Sequence, residues 1–406
     1  MDKLVFPNGF LWGVATASHQ VEGGTDNNWS EWEKSPSRLR NLEESGLAAK
    51  YGCENFISGI GADHYHRFKE DFRLARTLGH TATRFSIEWS RIEPREDYFD
   101  ADVIRHYREV VKTVKDEGME PFVTLWHWTI PVWFRNKGGF EKKRNISYFT
   151  RFVGKIVTEL PDVAFWITLN EPEIYTINSY RRRLWPPEKK NLIIAFRVFC
   201  NLIRAHRSSY MLIKNINPAA NIGIAKNNSY FEAYKNRPLN FLLKAIADYL
   251  WNFYFLNCIR HAQDFIGLNY YFHDRIKGGA LHRNENRKVN DLGWELYPEG
   301  IFYVLCDLRK YNVPVYITEN GLADAEDKYR TWFIKETLKN VHRAIGAGVD
   351  VRGYLHWSLM DNFEWAYGFW PRFGFIEIDY KTKARHPRLS AFVYKKICEE
   401  NACEMT

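Results

Sequence analysis

Eight short runs rich in β-branched and aromatic residues recur along the chain and alternate with segments of helical periodicity. The runs lie at residues 10–16, 80–87, 120–126, 163–170, 221–227, 264–269, 313–319 and 351–357. The clearest helical segments between them lie at 64–79, 101–118, 148–160 and 330–348. Strict alternation predicts a parallel sheet with helices outside it, and eight such units predict a closed (β/α)8 barrel of the TIM type.

An open, doubly wound sheet is the alternative with the same alternation of elements. Such folds commonly carry a glycine-rich phosphate loop after the first strand, and neither GxGxxG nor GxxxxGK[ST] occurs there. No stretch rich in proline, serine and glycine divides the chain into parts. We therefore expect a single α/β barrel domain over residues 1–406.

The charge of the chain is mildly basic, with a formal net charge of +8 over 406 residues. Its densest basic cluster, the arginines at 181–183, either binds an acidic partner or lies in a solvated loop. One short cluster is a weak signal, so we expect a loop, and neither a nucleic acid nor a membrane as partner. The apolar stretch 239–259 contains Lys244 and Asp248, which is typical of an amphipathic helix and not of a membrane span.

The six cysteines are scattered without CxxC spacing, so the sequence indicates neither a disulfide framework nor a metal site. The N-terminal stretch MDKLVFPNGFLWG lacks the charged start, apolar stretch and small-residue cleavage site of a secretory signal. We expect reduced thiols and a cytoplasmic location. The oligomeric state is left open.

Polar or aromatic side chains stand at or just beyond the C-terminal end of every predicted strand. They are Gln20, Glu22, Arg84, Glu88, His127, Asn170, Glu171, Asn227, Asn269, Tyr271, Glu319 and Trp357. Any one of them is explained by turn formation. Active sites of (β/α)8 barrels lie at this end of the strands, so the full set predicts a site at the barrel mouth.

Two glutamates, Glu171 and Glu319, end the fourth and seventh apolar runs. Each could pair with an arginine such as Arg84 as a buried ion pair. The functional alternative is a carboxylate pair that flanks a glycosidic bond. A separation of about 5–5.5 Å between the two carboxyl groups retains the anomeric configuration, and about 6.5–9.5 Å inverts it. The spacing in sequence leaves that choice open.

Motifs along almost the whole chain resemble those of glycoside hydrolase family 1, the β-glucosidase family. They are FPNGFLWGVATASHQVEGG, ADHYHRFKEDFRLARTLGHTATRFSIEWSRIEP, LWHWTIPVWF, WITLNEP, DFIGLNYY, GWELYPEG, VYITENGLAD and RGYLHWSLMDNFEWAYGFWPRFGF. The resemblance implies a retaining β-glycosidase that acts on unphosphorylated β-glucosides, with β-galactosides and β-fucosides as further substrates. It implies no metal and no cofactor for catalysis.

The resemblance also assigns roles to residues of the matching motifs. Glu171 of LNEP is the expected general acid/base, and Glu319 of TENG is the expected nucleophile of a covalent glycosyl-enzyme. Arg84 is expected to keep Glu319 ionised, with Asn269 in support, and a negative Glu319 would raise the pKa of Glu171.

The expected sugar contacts are spread over several loops. Asn170 would hold the 2-hydroxyl of the sugar, and Tyr271 would orient the nucleophile. Trp294 is expected on the leaving-group side. The remaining residues expected to hold the sugar that is cleaved are Gln20, His127, Trp128, Trp357, Glu364 and Trp365.

Two other functions fit the barrel. Members of the family that cleave 6-phosphoglycosides carry a serine and a Lys–Tyr pair in the loop after the eighth strand, whereas this chain has Glu364 and Trp365, and a carboxylate there repels phosphate. The second alternative is a catalytically weak or silent barrel that binds sugars or another ligand. Retention of both Glu171 and Glu319 argues against it.

The chain is shorter than typical members of the family, and the segment 228–263 is abbreviated and rich in aromatic rings. Short loops could open the flank of the barrel. One hypothesis is that this segment forms an apolar cleft for a flat ligand such as haem. The alternative, which we favour, is ordinary helix packing.

Overall fold

Eight parallel strands close into a barrel in the computed structural model, which describes residues 3–235, 237–278, 280–281 and 284–404. The strands are β1 (Leu11–Ala15), β2 (Ala82–Ser86), β3 (Glu120–Thr124), β4 (Phe165–Asn170), β5 (Asn221–Asn227), β6 (Phe265–Asn269), β7 (Val315–Asn320) and β8 (Val351–Trp357). Each strand pairs with its neighbours in sequence, and β8 pairs with β1 through Gly353 and Leu11. The predicted (β/α)8 barrel is confirmed, and closure excludes the open sheet.

A long helix follows each strand on the outside of the barrel. The helices are α1 (His64–Thr77), α2 (Ala101–Asp116), α3 (Ile146–Glu159), α4 (Leu192–Ile216), α5 (Pro238–Ala247), α6 (Gly300–Leu308), α7 (Arg330–Gly346) and α8 (Leu389–Glu400). Helix α5 runs on through a π-helical stretch, Asp248–Phe253, into the short helix Tyr254–Ile259. All four helical segments predicted from periodicity are present.

Short elements fill the loops at the two ends of the barrel. Short helices lie at Ser18–Val21, Asn28–Glu33, Pro36–Glu44, Leu47–Tyr51, Trp89–Ile92, Val132–Asn136 and Pro172–Tyr180. Three two-stranded sheets pair Lys3–Val5 with Ala402–Glu404, Tyr230–Ala233 with His273–Ile276, and Ile376–Ile378 with Arg385–Pro387. The first of these sheets joins the two ends of the described chain.

The interior of the barrel is filled with side chains. A buried cluster takes one side chain from each of the strands β2 to β8, and its members are Ala82, Phe122, Ile167, Ala225, Phe265, Tyr316 and Leu355. The rings of Phe122 and Phe165 stack at 4.3 Å between centroids. Because these side chains plug the barrel, a ligand site has to lie at one of its open ends, as is usual for this fold.

All six cysteines are free thiols. In the described residues, no group of three or more His, Cys, Asp or Glu side chains is arranged to hold a metal ion. A search of the same part of the chain found no helix with the length and apolar character needed to cross a membrane. The arginines at 181–183 are exposed and follow the helix Pro172–Tyr180.

Candidate active site

The backbone at Glu171 is held in an unusual conformation at the C-terminal end of β4. The strand ends at Asn170, and Pro172 opens a helix at its first position, where a proline is well tolerated. Glu171 between them has a φ of 40°, in the left-handed region that a glutamate rarely adopts. Its N–H donates to the carbonyl of Ala225 on β5 at 2.8 Å, which secures this conformation. Such backbone strain, typically about 1–3 kcal/mol, concentrates at functional sites.

Among the described residues, the hydrogen-bond donors to the Glu171 carboxyl group are neutral amides. Its Oε1 accepts from Asn269 Nδ2 at 2.8 Å and from Asn227 Nδ2 at 3.1 Å. Burial, and then the negative charge of Glu319, raise the pKa of Glu171 to about 8. A carboxyl group in this environment is protonated at neutral pH and has a proton to donate.

The Glu319 carboxyl group, at the end of β7, has a cation beside it. Its Oε1 accepts from Arg84 Nη1 at 2.6 Å, and its Oε2 accepts from the Tyr271 hydroxyl at 2.9 Å. Burial raises the pKa of Glu319, while the Arg84 charge and both hydrogen bonds oppose that rise. The ion pair considered from the sequence therefore forms at Glu319, whereas the hydrogen bonds of Glu171 come from neutral amides.

Asn170 connects the surroundings of the two carboxyl groups. Its Oδ1 accepts from Arg84 Nη2 at 2.7 Å and from Asn269 Nδ2 at 3.3 Å. Its Nδ2 lies 3.0 Å from His127 Nε2. Because Arg84 also reaches Glu319, and Asn269 also reaches Glu171, one buried network ties both carboxyl groups together and fixes their positions.

Three polar atoms of this network are buried without a hydrogen-bond partner among the described residues. They are Gln20 Oε1, His127 Nδ1 and Asn227 Oδ1. Gln20 Nε2 is satisfied, because it donates to Asn362 Oδ1 at 2.9 Å and lies 3.4 Å from Glu364 Oε2. Buried polar atoms normally have partners, so unpartnered ones beside two carboxyl groups indicate where hydroxyl groups of a ligand would bind.

Glu364 is a third carboxyl group at this site and is half-buried. Burial, followed by the charges of Glu319 and Glu171, raises the pKa of Glu364 to about 8. In its protonated form Glu364 both donates and accepts hydrogen bonds, as recognition of a sugar hydroxyl requires.

Aromatic rings line the same mouth of the barrel. The His127 ring stacks between those of Trp357, at 6.1 Å, and Trp365, at 5.8 Å. The ring centroids of Trp128 and Trp365 are 4.8 Å apart. Both tryptophans have positive φ values, 74° for Trp128 and 49° for Trp365. Trp294 lies 6.4 Å from Tyr271, on the side of the nucleophile. The structure thus brings the predicted aromatic residues to one region.

One aromatic residue of this region was missed in the sequence. Trp185, in the segment that follows the helix Pro172–Tyr180, lies 4.5 Å from Trp128 and 6.2 Å from Trp365. It is buried despite its basic neighbours. The signal in the sequence was the stretch WPP, in which two prolines restrict the backbone beside a large ring.

Comparison with known proteins shows which family has this arrangement. The sequence model of glycosyl hydrolase family 1 matches residues 2–258 and 244–403. The chain belongs to glycosyl hydrolase family 1. As a member of this family it is an O-glycosyl hydrolase.

Relatives match the family-1 chain over nearly its full length. It is 32% identical to Beta-glucosidase A from Thermotoga maritima, over all of both chains. It is 30% identical to a Beta-galactosidase from Saccharolobus solfataricus, over 98% of this chain and 96% of that one. Among solved structures, a beta-glycosidase from Pyrococcus horikoshii has a TM-score of 0.90 at 35% identity, and the match covers 100% of this chain and 97% of that one. The Thermotoga maritima β-glucosidase in complex with glucoimidazole has a TM-score of 0.89 at 30% identity, and the match covers 98% of this chain and 99% of that one.

The alignment with the Thermotoga maritima enzyme runs over 458 positions, of which this chain of 406 residues leaves 52 without a residue. The two segments matched by the family model share residues 244–258, at the end of α5 and in the helical stretch that follows. The abbreviation of the segment 228–263 stays a prediction.

Glu173, two residues beyond Glu171, lies on the helix that begins at Pro172 and is buried there. Glu173 Oε1 lies 3.3 Å from Nζ of Lys226, which is buried too and also donates to the carbonyls of Asn227 and Trp251. This ion pair anchors the helix beside Glu171 to β5.

Proposed function

We propose that the chain is a retaining β-glycosidase in which residues 1–406 work as one catalytic domain. The observation that carries this proposal is the unequal surroundings of two linked carboxyl groups. Glu319 has a cation and Glu171 has neutral donors, so one is suited to be a nucleophile and the other an acid.

In the first step, the ionised Glu319 attacks the anomeric carbon of the glycoside. Glu171 donates its proton to the leaving oxygen, and a covalent glycosyl-enzyme forms. Tyr271 and Arg84 hold one oxygen of Glu319 each, which fixes the direction of the attack.

In the second step, water hydrolyses the glycosyl-enzyme. The charge of Glu319 is lost when it becomes an ester, and that charge is one cause of the raised pKa of Glu171. The pKa of Glu171 therefore falls, and its carboxylate takes a proton from the attacking water. Each of the two displacements inverts the anomeric carbon, so the overall reaction retains its configuration.

The sugar contacts follow from the atoms left free at the barrel mouth. Gln20 Oε1 and His127 Nδ1 would bind sugar hydroxyls, and Glu364 would bind a further hydroxyl. Asn170 would hold the 2-hydroxyl. Trp128, Trp357 and Trp365 would form apolar walls for the ring, with Trp294 on the leaving-group side. The expected substrates are β-glucosides, with β-galactosides and β-fucosides also accepted.

An unphosphorylated sugar fits this mouth better than a phosphorylated one. Glu171, Glu319 and Glu364 place three carboxyl groups in one region, where the charge of Glu319 raises the pKa of both Glu171 and Glu364. A phosphate group would add negative charge to that region at a large electrostatic cost.

A panel of aryl β-glycosides, with and without 6-phosphate, tests the substrate and the chemistry together. Glu319→Ala should abolish turnover, and added azide should restore it by attacking from the vacated face to give an α-glycosyl azide. Glu171→Ala should release an activated phenol in a first burst and then stall for want of a base. Near-native turnover by Glu319→Ala would refute the assignment, and preference for the 6-phosphoglycosides would refute the substrate.

Two further expectations belong with this proposal. Six free thiols suit a reducing compartment, so we place the enzyme in the cytoplasm, which fractionation of the source cells would check. The reaction needs no cofactor.

The flat-ligand hypothesis for residues 228–263 is tested by measuring absorbance at wavelengths beyond the protein band after incubation with haem. Several rings there already pack on protein rings, such as Tyr254 on Phe199 and Tyr230 on Tyr303.

A further inference from the structure

The helical segment 238–250 buries polar side chains and exposes large apolar ones. Its buried positions include Asn240 and Asp248, whereas six large apolar side chains are exposed to between 45% and 58% of their surface. These are Leu239, Phe241, Leu242, Ile246, Tyr249 and Leu250. A surface helix normally turns its apolar stripe to the core and its polar residues to water.

Hydrogen bonds hold the polar side of this helix against the barrel. Asn240 Oδ1 accepts from the N–H of Gly278 at 2.9 Å. One turn after α5, Asn252 exchanges two hydrogen bonds with the backbone of Ser229, at 3.0 and 2.9 Å. Rotation of the helix to bury its apolar stripe would break these bonds and leave buried polar groups without partners. The apolar side is therefore fixed outward.

This helix lies within the segment 228–263, which the family resemblance predicts to be abbreviated. The exposed fractions of its six large apolar side chains show that no described part of the chain covers this side of the helix. Contiguous apolar surfaces of this kind mark interaction sites in soluble proteins.

The exposed area is comparable with one side of a stable dimer interface. With roughly 200 Å² of surface for each large apolar residue, the six side chains expose about 600 Å². A typical interface takes about 800 Å² from each partner, and residues flanking the six would supply the remainder.

We propose that this apolar face, formed by Leu239, Phe241, Leu242, Ile246, Tyr249 and Leu250, is the interface of a homodimer with a two-fold axis. The six side chains carry no charge, so a second copy of the same face is complementary to it. A nucleic acid would require cations on the face. Helices that bind membrane surfaces carry lysines and arginines on an outer polar side, whereas the polar side of this helix is buried in the protein.

Light scattering after size exclusion, on the full chain at micromolar concentrations, tests the proposal. The wild-type chain should elute as a dimer. Phe241→Asp should raise the dimer dissociation constant by roughly 30-fold or more, since an unpaired carboxylate buried in an apolar interface is costly. Phe392→Asp on α8 is the matched control, because Phe392 is 52% exposed and Phe241 is 50% exposed. The control should remain dimeric.

Leu250→Glu provides a second variant in case Phe241→Asp fails to fold, and hydrogen exchange of the wild-type chain needs no variant. Amides of residues 239–250 should exchange more slowly at high than at low protein concentration. A wild-type chain that is monomeric throughout overturns the proposal, as does a dimer that survives both substitutions. Monomers that co-sediment with vesicles of phosphatidylcholine and phosphatidylserine would overturn it in favour of a membrane contact.

Discussion

Removal of the Tyr271 hydroxyl tests how the proposed nucleophile is kept ionised. Tyr271 is half-buried and donates to Oε2 of the buried Glu319 at 2.9 Å. A hydrogen bond to a charged group contributes about 1.5–3 kcal/mol. Because this bond favours the ionised carboxylate, its loss in Tyr271→Phe should raise the pKa of Glu319 by about 1–2 units, at 1.36 kcal/mol for each unit.

The assay is the pH dependence of kcat/KM with an aryl β-glucoside. Glu319 must be ionised to attack, so a raised pKa moves the acid limb of the profile to higher pH. At a pH below that limb, kcat/KM should fall by about 10–100-fold, while the loss at higher pH should be smaller.

Tyr270→Phe is the matched control for this experiment. Tyr270 is the preceding residue, is buried, and donates instead to the carbonyl of Tyr297 at 2.8 Å. Its substitution removes a buried hydroxyl without touching Glu319, so the acid limb should stay in place. An acid limb that is unmoved in Tyr271→Phe, or moved equally in Tyr270→Phe, would refute the reasoning.

Three other predictions follow from the ionisable groups. Glu171 must be protonated as the acid, and its pKa is raised to about 8, so kcat/KM should fall tenfold per pH unit above about pH 8. A profile without that limb contradicts the role of Glu171. Arg84→Met leaves the buried Glu319 carboxylate without its cation, which should lower the free energy of unfolding by about 3–5 kcal/mol in urea titrations at neutral pH. This loss of stability should be smaller at acid pH, where Glu319 is protonated and needs no cation. A loss that is the same at every pH would contradict the assigned role of Arg84. Lys226→Met leaves the buried Glu173 without its cation and should also lower the free energy of unfolding by about 3–5 kcal/mol. The double variant Lys226→Met with Glu173→Leu should recover most of that stability. No recovery in the double variant would show that the pair is not coupled.

Much of the barrel was predictable because its signals are local. Each strand is a short apolar run, and all eight predicted runs contain a strand whose ends agree to within two residues. Strand-end geometry then brings Glu171 and Glu319 to one mouth although they are far apart in sequence. The roles of the two glutamates came from the family resemblance, since sequence spacing says nothing about charge partners.

The hydrogen-bond and ion-pair partners that side chains find across the barrel could not be predicted from the sequence. Asn269 donates to Glu171, a residue 98 positions away, and nothing in its local sequence indicates that bond. The helix that carries Glu173 is also hard to foresee, because a proline after a strand suits a loop as well as the first turn of a helix. Its partner Lys226 lies in an apolar strand, where a lone lysine gives no sign of what it pairs with.

The helical segment 238–250 shows a different limit. The sequence correctly predicted an amphipathic helix in 239–259, but periodicity defines two faces and does not say which one is buried. Here the choice was made by polar groups on other elements, such as Gly278 and Ser229, which bond to Asn240 and Asn252. The apolar side was left outward for that reason.

Covalent labelling of the nucleophile tests the central claim most directly. A fluorinated β-glucoside with a good leaving group should inactivate the enzyme by forming a glycosyl-enzyme that hydrolyses slowly. Mass spectrometry of a proteolytic digest should then find one added glycosyl group, on the peptide that contains Glu319. An unlabelled enzyme that still turns over the parent glucoside, or a label on a different carboxylate, would contradict the account.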